Sequence, residues 1–109
     1  MFRVINEYLA KVNIDTDDEL KDKIEDFMSK DKNVKKFCIN ENFNRYILDI
    51  KLEKFSVKKA DTDFRKLINA IAYSYSHMSV RYNEGDRVRY RFVTCKEDKS
   101  GVYIDIIYS

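Results

Sequence analysis

Proline is absent from this 109-residue chain, tryptophan is absent too, and glycine occurs only at Gly85 and Gly101. Two isolated glycines cannot build the glycine-rich loops that cradle phosphates, so nucleotide folds of the usual kinds are excluded. Cysteine is limited to Cys38 and Cys95, which match no CxxC or zinc-ligand spacing and are too few for a disulfide framework. Free thiols are expected, with no metal and no cofactor. The one histidine, His77, is placed at the end of a helix, where its cationic form suits the dipole better than it suits catalysis. A Cys–His nucleophile pair lacks a third orienting residue. The acidic run Asp15, Asp17, Asp18, Glu19 and Asp22 lacks the calcium-loop pattern, and Asp49 and Glu53 are interleaved with Lys51 as surface charge. No catalytic residue is named, and the chain is expected not to be an enzyme; an unrecognised active site is the most remote of three readings.

No run approaches the roughly 20 apolar residues of a membrane span, the first residues do not form a signal-peptide core, and there is no N-glycosylation sequon. A soluble, cytoplasmic protein without a membrane partner is expected. Scarce glycine and proline beside abundant Lys, Asn, Ile, Tyr and Phe suggest an AT-rich genome, and hence a low-GC bacterium or a virus or mobile element within one.

What is present is an ordinary globular composition with a heavily charged surface, 44% hydrophobic and 37% charged, and an aromatic set of eight Tyr and seven Phe. The length suits one domain, residues 1–109. Net charge is only +2. It is unevenly spread: residues 1–30 carry five basic and eight acidic groups, residues 31–60 eight and four, and residues 61–109 eight and seven. An acidic helical arm over 1–30 thus precedes a sheet-plus-helix region over 33–109.

Phe2, Ile5, Tyr8, Leu9 and Val12 recur at helical steps. Thr16 with Glu19 forms a capping-box pair before Leu20, Ile24, Phe27 and Met28, which predicts a helix over 17–30. From Val34 the period becomes two, through Phe37 and Ile39 and then Tyr46, Leu48, Ile50 and Leu52, a β-hairpin. Phe64, Leu67, Ile68, Ile71, Tyr75 and Met78 predict a helix over 62–77 with Asp61 as its N-cap. Ser79–Tyr82, Arg87–Lys96 and Val102–Tyr108 read as a meander. Val88, Tyr90, Phe92 and Thr94 come into phase with Val102, Ile104, Ile106 and Tyr108 if the last turn spans about three residues. The expected fold is α+β in the order α-α-β-β-α-β-β-β, an antiparallel sheet of about five strands with three helices mainly on one face.

Arg87, Arg89 and Arg91 alternate with Val88, Tyr90 and Phe92. Unpaired guanidiniums cannot be buried cheaply, so the apolar set claims the core and the arginines face away from the helices. In that register Asp105 lies opposite Arg91, Tyr103 and Ile107 share the outward face, and Tyr82 joins them if the Asn83–Asp86 turn is even-numbered. Arg81, Tyr82, Arg87, Arg89, Arg91, Tyr103 and Ile107 are therefore the candidate partner-binding residues. Arginine with tyrosine is the composition of protein interface hot spots and also of platforms for single-stranded nucleic acid. A solvated sheet face also carries arginine simply for solubility and against edge pairing. Tyr90, Phe92 and Val93 coincide with aromatic and valine positions of the RNA-recognition motif. Arg89 and Arg91 stand where that motif needs small residues, and the element order differs, so no family is assigned. Of the binding readings a protein partner leads and single-stranded nucleic acid follows; a homodimer through a hydrophobic edge at Val102–Tyr108 is a further expectation.

Overall fold

The structure, a computed structural model, describes residues 18–42, 45–73, 75–95 and 101–109. The helix expected over residues 2–12 and the cap at Thr16 lie outside the described residues. Within them the order is helix α1 (Asp18–Lys30), strands β1 (Val34–Asn42) and β2 (Arg45–Leu52), helix α2 (Val57–Ile71), and strands β3 (Tyr75–Asn83), β4 (Val88–Cys95) and β5 (Gly101–Tyr108). The α+β fold, the five strands and the first hairpin are as the sequence pattern predicts. The described part has two helices.

The five strands form one sheet in the order β1-β2-β5-β4-β3. It is mixed rather than wholly antiparallel, because β2 and β5 run parallel. The direction follows from counting reversals: α2 brings the chain back from the end of β2, so β3 runs with β2, β4 against it, and β5 with it again. Insertion of β5 between β2 and β4 also corrects its expected role as a dimerising edge. Its side chains are buried on both faces except for partial exposure at Asp105 and Ile107, as a central strand requires. The edges are β1, guarded by lysines and asparagines, and β3.

The second helix spans different residues from those expected. Ser56, in extended backbone, accepts a hydrogen bond from the Lys59 N–H at 3.1 Å and is the N-cap in place of Asp61. Ala72 turns extended, and the Tyr73 N–H donates to Thr94 Oγ1 at 2.8 Å, so the helix stops at Ile71. His77 consequently lies in β3 and not at a helix C-terminus. Starting at Val57 puts Ala60, Asp63, Phe64, Leu67 and Ile71 on the buried stripe. That stripe and Leu20, Ile24 and Met28 of α1 pack on one face of the sheet, against Tyr46, Leu48, Ile50, Val88, Tyr90, Phe92, Ile104, Ile106 and Tyr108. The other face is left without a described helix, and the candidate residues other than Arg81 belong to it.

Candidate functional site

Register decides which arginines share the bare face. Val88, Tyr90, Phe92 and Thr94 pair with Tyr108, Ile106, Ile104 and Val102, and Arg91 stands opposite Asp105, both as expected. Arg89 therefore lies between Tyr82 of β3 and Ile107 of β5 on the face opposite the helices. The connection between Asn83 and Val88 is the even-numbered loop that puts Tyr82 there. Gly85 sits in it at φ +80°, and its N–H donates to Asn83 Oδ1 at 3.2 Å. A Cβ at Gly85 would meet nothing within 4 Å, so the cost of a side chain is conformational alone. Gly85→Ala is expected to lower stability by about 1 kcal/mol, seen as an earlier urea midpoint with unchanged slope.

This loop also aims a carboxylate at the arginines. Glu84 lies 2.9 Å from Arg87 Nε and 3.5 Å from Arg89 Nη1. Asp105, only 13% exposed, lies 3.5 Å from Arg91 Nε and 3.3 Å from Arg45 Nη1. Arg45, which the pattern reading did not single out, opens β2 and places its guanidinium 4.4 Å from the Tyr103 ring centre. Among the described residues four guanidiniums thus share two carboxylates through these pairs, and with Asp49 in register with Ile107 on the same face guanidinium still exceeds carboxylate there. The exposed pairs contribute little to stability; their consequence is to fix where the guanidiniums point.

Two members of the expected site are placed differently. Tyr103 projects from the outward face but is 3% exposed, clustered with Val93 and Cys95, so the strip presents Arg45 above it rather than the tyrosine itself. Burial raises the Tyr103 hydroxyl above its ordinary pKa, against the pull of Arg91 and Arg45. Arg81 stands in register with Tyr90, on the helix side, because neighbours in a strand cannot share a face. There it forms a two-pronged pair with Asp61 of α2, at 3.1 and 2.7 Å, while the Tyr90 hydroxyl donates to the same carboxylate. Arg81 is therefore a clamp between β3 and α2 and not part of the outward strip. Tyr82, 48% exposed, is the exposed large hydrophobic side chain of the described residues. The depression bounded by Tyr82, Arg89, Arg91, Asp105 and Ile107 holds only about 10 Å³, room for roughly one water. The strip is thus a flat contact surface, without the volume that encloses a small ligand.

A second cluster escaped the sequence reading. Asp63 of α2 is 2% exposed and accepts a hydrogen bond from the Tyr108 hydroxyl at 2.8 Å through Oδ2. Asp31, in the turn after α1, acts on it through its side chain and its charge, and the Asp31 Oδ1 is taken by the Asn33 N–H at 2.9 Å. Asp63 Oδ1 and Asp31 Oδ2 are both buried and have no donor. A buried carboxyl oxygen without a donor is costly to leave charged, which favours a proton on Asp63. Burial, then the hydrogen bond to Asp31 and its charge, push the Asp63 carboxyl up to about 7, against the Tyr108 hydroxyl and Lys66. The signal was available in the spacing: Asp63 is three residues past Ala60 and four before Leu67, a charged residue on an apolar stripe.

Among the described residues no group of three or more His, Cys, Asp or Glu side chains is arranged to hold a metal ion. No described helix is long and apolar enough to cross a membrane. Comparison with protein-family models, with curated proteins and with solved structures gives no match.

Proposed function

We propose that the protein is a non-enzymatic interaction module that engages an acidic segment of a partner protein through the strip formed by Tyr82, Arg87, Arg89, Arg91, Ile107 and Arg45. The observation that carries this reading is the excess of guanidinium over carboxylate on a flat sheet face without a described helix, beside a half-exposed tyrosine ring. Arginine suits the role because its planar fork pairs with carboxylates two at a time. A protein is favoured over single-stranded nucleic acid because Tyr103 is buried and Tyr82 is the exposed ring of the strip among the described residues, whereas a single strand stacks successive bases on several rings. The composition further suggests a cytoplasmic accessory or inhibitory protein of a virus or mobile element, which the genes flanking this one would test.

Arg87→Ser, Arg89→Ser and Arg91→Ser together are expected to abolish capture of the partner by tagged protein from nuclease-treated host lysate, while the circular dichroism spectrum is unchanged. Capture that survives the triple substitution removes the strip from consideration. Capture that disappears on nuclease treatment transfers the site to single-stranded nucleic acid. In that case two to three phosphate contacts predict a log–log salt slope of about −1.4 to −2.1, at about −0.7 per contact.

A further inference from the structure

On the opposite side of the molecule, α1, the turn after it and α2 enclose an open cleft of about 520 Å³, within the range of small-molecule sites. Its walls carry Lys23, Lys30, Lys32 and Lys66 against Asp26 and Asp31, and Phe27 and Ala70 give it an apolar part. Lys30 pairs with Asp26 at 3.1 Å, and Lys23 reaches Glu19 at 3.9 Å and the Tyr73 ring at 5.1 Å. Lys32 and Lys66 make no ion pair with another described residue. Two ammonium groups outside any such ion pair, Lys66 acting on Asp63 only at longer range, therefore line a recess with a half-buried phenylalanine that the outward sheet strip does not share.

We propose that this cleft binds a small organic anion, its charged head between Lys32 and Lys66 and a flat apolar body against Phe27 and Ala70. The site stands apart from the arginine strip and does not rest on the function proposed for it. The buried Asp63 is linked to it through Asp31, which lines the cleft, acts on the Asp63 carboxyl and has a buried oxygen without a donor. While Asp63 holds its proton it adds no charge behind the head-group position, and the lysines keep the cleft cationic. Losing that proton places a negative charge there. The charged and titratable groups facing the pair are Tyr108 from β5, with Tyr90 of β4 edge-on to it, Lys66 from α2, and the cleft's Lys23, Asp26, Lys30 and Lys32. Occupancy of the cleft and the proton should therefore favour one another.

The test uses 2-naphthalenesulfonate, whose charge does not change with pH, with methanesulfonate as the head alone. Calorimetry and amide chemical-shift mapping follow binding. The naphthyl compound is expected to bind at least about 10-fold more tightly than methanesulfonate and to perturb amides around Phe27, Asp31 and Lys66. Lys32→Gln with Lys66→Gln should weaken it about 5- to 10-fold. Affinity should fall about 3- to 5-fold between about pH 6 and pH 8, and Asp63→Asn, which is neutral at position 63 at every pH, should retain binding and remove that fall. The site is overturned by no binding up to about 10 mM, by shifts at Arg89 and Tyr82 instead, or by lysine variants that bind like the parent. A fall with pH that persists in Asp63→Asn, or no fall in the parent, overturns the link to the acid pair.

Discussion

Phe64→Ala is expected to remove about 3 to 5 kcal/mol of stability, a large share of the 5 to 15 kcal/mol typical of a domain. Phe64 is the side chain of α2 that joins the helix to the middle of the sheet. Its ring lies parallel to Tyr90 at 3.9 Å between centres and meets Phe92 edge-on at 6.5 Å, and Tyr90 in turn meets Tyr108 edge-on at 5.9 Å. Truncation opens a cavity walled by β4, which is hydrogen-bonded on both sides by β3 and β5 and cannot collapse into it. It also frees the Tyr90 ring, whose hydroxyl meets the carboxylate clamped by Arg81, so the tie between α2 and β3 loosens with it. Urea denaturation reads the loss as an earlier midpoint at constant slope. Phe37, partly buried on the edge strand β1, is the comparison: its truncation should cost about half as much or less. A cost below about 1 kcal/mol for Phe64→Ala would show that the stack does not hold helix to sheet.

The same residues show why some of this was legible in the sequence and some was not. Alternation along Val88–Thr94 and Val102–Tyr108 fixes which face each side chain takes, because a guanidinium is costly to bury beneath the helices and the other face leaves it in reach of water. The Arg91–Asp105 pairing followed from that alone. Strand order did not, because a period of two is the same in an edge strand and a central one. Even so, the uninterrupted apolar character of β5 on both faces is the mark of a strand with neighbours on each side. The α2 boundary was missed because Ser56 and Asp61 are equally good caps by residue type. Choosing Asp61 moved Asp63 from the middle of a buried stripe to the first turn, where an acid needs no explanation, and so hid the acid pair. Arg81 and Tyr82 could not both have faced outward, a point that alternation alone decides. The carboxylates that restrain the arginines come from a tight loop and from a neighbouring strand. Glu84 in particular reaches Arg87 and Arg89 only through the conformation at Gly85.

Stability is expected to fall as pH rises from about 5 to about 8, by about 2 to 3 kcal/mol at roughly 1.4 kcal/mol per pH unit over the part of the window below 7. The sign follows from the direction of the Asp63 shift. Its carboxyl holds a proton up to about 7 in the folded state against 3.8 for the free group, so the folded chain binds a proton that the unfolded chain has released. The stabilisation is complete below the unfolded value, declines as pH climbs towards the folded value, and is gone above it. Asp63→Asn separates this group from everything else that titrates. An asparagine there can accept from the Tyr108 hydroxyl with its carbonyl and donate its amide to Asp31, which reproduces the protonated acid at every pH. The variant should match the parent near pH 5 and exceed it near pH 8, so that removing a buried charge stabilises the protein where most proteins are handled. Tyr108→Phe should act in the opposite sense, costing about 1 to 3 kcal/mol, because it deprives a buried carboxyl of its donor. Urea midpoints for the three proteins across the window decide the matter. An Asp63→Asn curve parallel to the parent's would mean that the two carboxyls do not share a proton, and that Asp63 is held charged by Lys66 and Tyr108 alone.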